Sequence, residues 1–203
     1  AREFQNRSRL LIYPLILFVM AETIIQVALP ELHVTWLCVT LLSVLYFIYC
    51  SEMWNQLDAL TGLLNQNSYL KQTGGVRCKG GVLVVFDVDD FKQINDRYGH
   101  IQGDLCLAGI AECIKKSYAN FGYCYRIGGD EFCVLLKNGG NEGRCKQEFL
   151  QRLQEKRGEI AFLPTVSYGS APFSGEDIVK VKDRADQDMY QYKKERKNRK
   201  RLS

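Results

Sequence analysis

The chain has 203 residues, 46% of them hydrophobic, with 27 Lys and Arg against 23 Asp and Glu for a net charge of +4. That length suffices for one core-bearing domain of about 145 residues beside a short extra unit. Its eight cysteines are scattered without a Cys-x-x-Cys pair, which indicates neither a zinc site nor a disulfide framework and predicts reduced thiols.

Leu10 to Leu29 is a mostly apolar stretch of 20 residues and Val34 to Cys50 another of 17, separated by Pro30-Glu31-Leu32-His33. Each is about long enough for a hydrocarbon core of ~30 Å, so residues 1–50 are expected to form a transmembrane helical hairpin. Arg2, Arg7 and Arg9 precede the first run and no Lys or Arg lies between the two. This predicts a multi-pass inner-membrane protein with both ends, and its catalytic domain, in the cytoplasm. Glu22 and Gln26 share a helix face and are expected to pack against another helix. Trp54 and Leu57, at helical spacing, predict that the second helix continues as a stalk over 51–57.

Beyond the stalk, Asn65 to about Thr73 forms a helix on its pattern. Gly81 to Phe86 is a continuous apolar run expected of a strand buried on both faces, and it ends in Asp87-Val88-Asp89-Asp90. A short helix with Lys92 near its start breaks at Gly99, and Asp104 is the expected N-cap of a longer helix to Lys116. Tyr123 and Tyr125, then Phe132, Val134 and Leu136, alternate as the arms of a hairpin whose Gly128-Gly129 turn is expected to use positive φ angles. An amphipathic segment lies near Gln147 to Lys156, and Thr165 to Ser170 is a further strand. Ser174 to Asp177 resembles a capping box, after which Ile178, Val181, Ala185, Met189 and Tyr192 fall on one helical face. The tail from Lys193 to Arg201 has seven Lys or Arg against one Glu. It suits a solvated helix better than a nucleic-acid surface, having no interleaved aromatic platform.

The chemistry gathers at two acidic clusters. Asp87 at the end of a central strand, with Asp130 and Glu131 on a glycine turn, offers hard oxygens suited to Mg²⁺ beside phosphate. Lys92 and the free N–H groups of its first helical turn suit a phosphate. Asn95, on the Lys92 face, and Asp104 match the donors and acceptors along a guanine edge.

These motifs make the chain resemble the GGDEF family of diguanylate cyclases, from Asp58 to about Asn198. The likeness rests on Asp58 to Asn65 as the opening motif, Phe86 to Asp104 as the metal and guanine segment, and Arg126 to Phe132 as the signature hairpin. Thr165 to Gly169 matches a late strand and turn, and Ala185 to Lys193 the closing helix. The resemblance implies an α+β domain over 58–203, ferredoxin-like or polymerase-palm, with helices on a mainly antiparallel sheet. It implies a cyclase that joins two GTP into cyclic di-GMP across a two-fold homodimer, with two Mg²⁺ ions, or Mn²⁺, in each half-site.

By the same resemblance Asp87, the Val88 carbonyl, Asp130 and Glu131 hold metal, while Asp130 alternatively activates the attacking hydroxyl. Asn95 and Asp104 bind guanine. Lys92, Lys193, Lys197 and the backbone at Asp90 and Phe91 hold the triphosphate. Arg126 either orients the hairpin, with Gly128, Gly129 and Phe132, or neutralises phosphate. Where many members carry an Arg-x-x-Asp product-inhibition site this chain has Ala119-Asn120-Phe121-Gly122, so feedback there is not expected. Lys197 replaces the usual Arg, losing its bidentate fork, and Gln66 replaces a common Arg of the opening motif. The alternatives to an active cyclase are a catalytically silent GTP receptor and a synthase of a different cyclic dinucleotide.

Overall fold

The apolar run after Gly80 becomes the middle of a sheet. In the computed structural model, which describes residues 17, 20–21, 23–28, 35–54, 56–74, 80–137 and 139–202, the elements run α1 (Thr35–Trp54), α2 (Gln66–Thr73), β1 (Gly81–Val88), α3 (Phe91–Tyr98), α4 (His100–Tyr118), β2 (Gly122–Arg126), β3 (Glu131–Leu136), a 3₁₀ turn (Gly139–Asn141), α5 (Glu142–Glu159), β4 (Val166–Phe173) and α6 (Ile178–Leu202). The chain divides into two compact units, Ala1–Trp54 and Asn55–Ser203.

In the second unit the strands follow the order β2-β3-β1-β4, and each neighbouring pair is antiparallel. Period-two alternation sends Val82, Val84, Phe86 and Val88 of β1 to one face, among Cys106, Leu107, Ile110 and Ile114 of α4 and Phe149 and Leu153 of α5. Leu83 and Val85 point the other way, into a second cluster with Val181 and Ala185 of α6 and Tyr69 of α2. Both faces are therefore covered, which is why β1 reads as unbroken hydrophobe. Gly169 brings α6 close: a Cβ there would fall 2.2 Å from the Met189 nitrogen and 2.3 Å from the Ala185 oxygen.

The sheet edges are closed by local chemistry. On β4 the Ser170 N–H donates to Asp188 (2.9 Å) and the Pro172 carbonyl accepts from Arg184 (2.8 Å), both on α6. On β2 the segment around Leu64 does the same, with Leu64 N–H donating to the Cys124 carbonyl and Arg126 N–H to the Leu64 carbonyl. Part of each edge ladder is thus taken up within the chain itself.

Several expectations change. No helix among the described residues is long and apolar enough to cross a membrane, which overturns the expected multi-pass inner-membrane location. The run Val34 to Cys50 falls largely in α1. There Thr40 and Ser43 interrupt it, donating back to the Trp36 and Val39 carbonyls at 2.7 and 2.8 Å, and the helix runs on through Ser51 and Glu52. Much of Leu10 to Leu29, including Glu22, lies outside the described residues. α1 ends at Trp54, and Leu57 instead forms an antiparallel bridge with Leu64, so the helical stalk does not reach Leu57.

Gly99 caps α3 as expected, with φ 84° and its N–H on the Asn95 carbonyl, but α4 starts at once at His100. Asp104 is thus inside a helix and caps nothing. At the start of α6 it is Asp177 that accepts from the Val179 N–H (3.0 Å), so the cap falls at the last residue of the predicted box.

Candidate functional site

Antiparallel register decides which acids meet. Asp87 of β1 stands directly opposite Glu131 of β3, and on its other side it faces Ser167 of β4. Residues so opposed share a face and lie about 5 Å apart at Cβ. The face is the one α6 covers, and Lys193 extends from that helix to Asp87 Oδ1 at 2.6 Å and Asp89 Oδ1 at 3.3 Å. Burial lowers the Lys193 pKa, but the hydrogen bond and charge of Asp87 outweigh it and hold the ammonium above its ordinary range.

The hairpin tip is fixed from three sides. The Val88 N–H donates to the Asp130 carbonyl (3.2 Å), tying the turn to the end of β1. Phe132 is fully buried beneath it. Arg126 donates from Nη2 to the Gly129 carbonyl at 2.7 Å and from Nη1 to Asp58 at 3.1 Å, linking turn to opening motif. All three guanidinium nitrogens of Arg126 are engaged with Gly129 and Asp58. Burial opposes ionisation of Asp58, yet bonds from Thr61 and Arg126 prevail and keep its carboxyl below the usual range.

The glycines act differently from expectation. Neither Gly128 nor Gly129 has a positive φ. A Cβ on Gly128 would lie 3.3 Å from Glu131 Cβ and 3.4 Å from its Oε2, so this glycine packs beside the Glu131 side chain. The one non-glycine residue with positive φ among those described is Asp90 (55°), which redirects the chain from β1 into α3. The carbonyl of Asp90 accepts from Gln93 N–H. Phe91 and Lys92 open α3, with the Lys92 side chain exposed.

Asn95 is brought to α4 at Gly103, the residue before Asp104: a Cβ on Gly103 would fall 1.9 Å from Asn95 Oδ1. That oxygen is buried and has no hydrogen-bond partner. Asp104 is exposed. The Lys197 side chain lies outside the described residues.

A metal test follows from the donor set. Among the described residues no three His, Cys, Asp or Glu side chains are grouped to hold a cation. Two facing carboxylates, with an ammonium already drawn to one of them, fit an ion of the Mg²⁺ type, which takes one or two carboxylates and completes its shell with substrate phosphate and water. They do not fit a metal caged by protein alone.

One residue escaped the sequence analysis. Asp89 is 4% exposed and accepts from Ser167 Oγ (2.8 Å), Thr165 Oγ1 (2.9 Å) and, most closely, Arg196 Nη2. Burial pushes its pKa up, but these donors, Arg196 foremost, hold it below the ordinary value. Two-residue spacing from Asp87 was the available signal. Arg196 also reaches Thr165 Oγ1 at 2.8 Å, fastening the far end of α6 to the strand ends that carry the site.

Residues 55–199 match the family described as "Diguanylate cyclase, GGDEF domain". Similar proteins include diguanylate cyclase DgcS of Shewanella oneidensis, 32% identical over 154 residues, 72% of this chain and 52% of that protein. Diguanylate cyclase A of Treponema denticola is 30% identical over 148 residues, 70% of this chain and 40% of that protein. The chain thus spans about half the length, or less, of these relatives. Among solved structures, a microbial GGDEF domain described in an interaction with cyclic di-GMP is 32% identical with TM-score 0.54, covering 68% of this chain and 93% of that one. The GGDEF domain of DgcB from Caulobacter crescentus, in complex with c-di-GMP, is 27% identical with TM-score 0.53, covering 68% and 90%.

Proposed function

This chain belongs to the GGDEF diguanylate cyclase domain family, and from that premise we propose that its 58–203 domain condenses two GTP into cyclic di-GMP and two pyrophosphates. The observation that carries the proposal is the direct pairing of Asp87 with Glu131 across neighbouring strands. Two such carboxylates beside the start of α3 suit a cation held together with a nucleotide triphosphate. When bound, divalent cations supply charge for the attacking and leaving oxygens of an in-line displacement.

Everything else is positioning by side chains. Asn95 and Asp104 hold the guanine, and Lys92, with the backbone at Asp90 and Phe91 where the first helical turn begins, holds the phosphates. Lys193 leaves Asp87 for phosphate when the nucleotide arrives, and Lys197 assists it. The 3′-hydroxyl of one GTP forms its bond to the α-phosphorus of the other while the bond to pyrophosphate breaks. Asp87, the Val88 carbonyl and Glu131 would hold the cations, and Asp130 either would join them, the hydroxyl proton then passing to water, or takes that proton itself. Because one domain holds one GTP, both bonds form only where two domains face each other, in a two-fold homodimer.

The test is incubation of the chain with Mg²⁺ and GTP, followed by identification of the nucleotide product. Cyclic di-GMP is expected, and Glu131→Gln should abolish it while leaving the circular dichroism spectrum intact. GTP binding without product would favour a silent receptor instead.

A further inference from the structure

Gly103 has no backbone reason to be glycine. It lies within α4 with ordinary helical φ, where glycine is among the poorest helix formers. What surrounds it is specific. A Cβ there would lie 1.9 Å from Asn95 Oδ1, 3.1 Å from its Cγ and 3.2 Å from Phe91 Cζ. The first of these is far inside any tolerated contact, and the atom struck is the end of a side chain that can rotate. Alanine would therefore be accepted by the helix and would evict the Asn95 carboxamide.

The orientation of that carboxamide has a chemical consequence. Its oxygen is turned inward against Gly103, buried and without a hydrogen-bond partner. A carboxamide has two ends, and with Oδ1 inward the Nδ2 donors are left for a ligand. We propose that Gly103 is a positioning residue for base specificity: its bare backbone seats Asn95 so that Nδ2 donates to the O6 carbonyl of guanine, while the neighbouring Asp104 accepts from the ring N1–H and the exocyclic amino group. The proposal rests on the guanine-binding role assigned above to Asn95 and Asp104. It adds that the amide is held donor-outward. Adenine carries an amino group where guanine carries its carbonyl oxygen, so donor would face donor, and a site left with an unpaired polar group rejects such a base.

The test is a double-mutant cycle on the full chain. Binding is measured calorimetrically in Mg²⁺ with guanosine and adenosine triphosphates bearing an α,β-methylene bridge, which prevents turnover. Gly103→Ala should weaken the guanosine analogue by about tenfold or more, the loss of one well-placed hydrogen bond. It should leave the weak adenosine affinity unchanged and the melting temperature the same or higher. In an Asn95→Ala background the same substitution should have no further effect, because no carboxamide remains to be moved. An unaltered guanosine affinity in Gly103→Ala, or an equal loss in the Asn95→Ala background, overturns the inference alone. A wild-type chain with no preference for the guanosine analogue overturns both the inference and the reading beneath it.

Discussion

Arg196→Ala isolates the contact that anchors α6 to the strand ends under the site. The Asp89 side chain is 3% exposed and that of Arg196 23%, so removing the guanidinium strands a buried carboxylate. Breaking a buried pair by deleting one partner costs about 3–5 kcal/mol. The lower end applies here, because Ser167, Thr165 and Lys193 still address Asp89 at 2.8, 2.9 and 3.3 Å. About 3 kcal/mol corresponds to a fall in melting temperature of roughly 6–12 °C for a domain of this size. Thermal and urea denaturation of the chain, followed by circular dichroism, measure it. Asp89→Asn combined with Arg196→Met leaves no unpaired charge and should recover about half of the loss. A single Arg196→Ala variant within about 0.5 kcal/mol of wild type would refute the assignment of Asp89 as a buried, paired anion.

Phe149→Ala should cost about 3–5 kcal/mol in urea unfolding, since Phe149 is fully buried and meets Phe86 edge-on at 5.1 Å between ring centroids; a loss below about 1 kcal/mol would contradict that packing. Lys193→Met should raise Mn²⁺ affinity in the absence of nucleotide by about tenfold, because an ammonium 2.6 Å from Asp87 competes with any cation there, and an unchanged affinity would show that it does not. The Asp58 carboxyl sits below its ordinary range, so its contribution to stability is complete above about pH 4 and is lost as pH falls through the folded value. Asp58→Asn should therefore lower stability at neutral pH and narrow the gap to wild type in acid, and parallel pH profiles of the two would count against it.

What could be read without coordinates was the periodic part. The unbroken apolar run before Asp87 announced a central strand because both faces of β1 are covered, and alternation around the hairpin announced β2 and β3. Gly99 marked the end of α3 because only its positive φ could turn the chain there. The failures lie where tertiary contact outranks local pattern. Asp104 looked like an N-cap, yet Gly99 serves both helices and α4 begins four residues earlier. Gly128 and Gly129 suggested a left-handed turn, whereas neither has a positive φ. Arg196 lay inside a basic tail whose composition pointed to solvent, and its partner Asp89 is 107 positions away. Apolar length in Val34 to Cys50 suggested a membrane span, yet no helix among the described residues is long and apolar enough to cross one. Asp87, Asp130 and Glu131 were grouped by chemistry, and register sets Asp87 opposite Glu131.

The claim that these two carboxylates share a cation beside a nucleotide is tested most directly by electron paramagnetic resonance of Mn²⁺ with the α,β-methylene guanosine analogue. Wild type should immobilise Mn²⁺ only when the nucleotide is present, and Asp87→Asn and Glu131→Gln should each lose that signal while remaining folded. Wild-type levels of immobilised Mn²⁺ in both variants would contradict it.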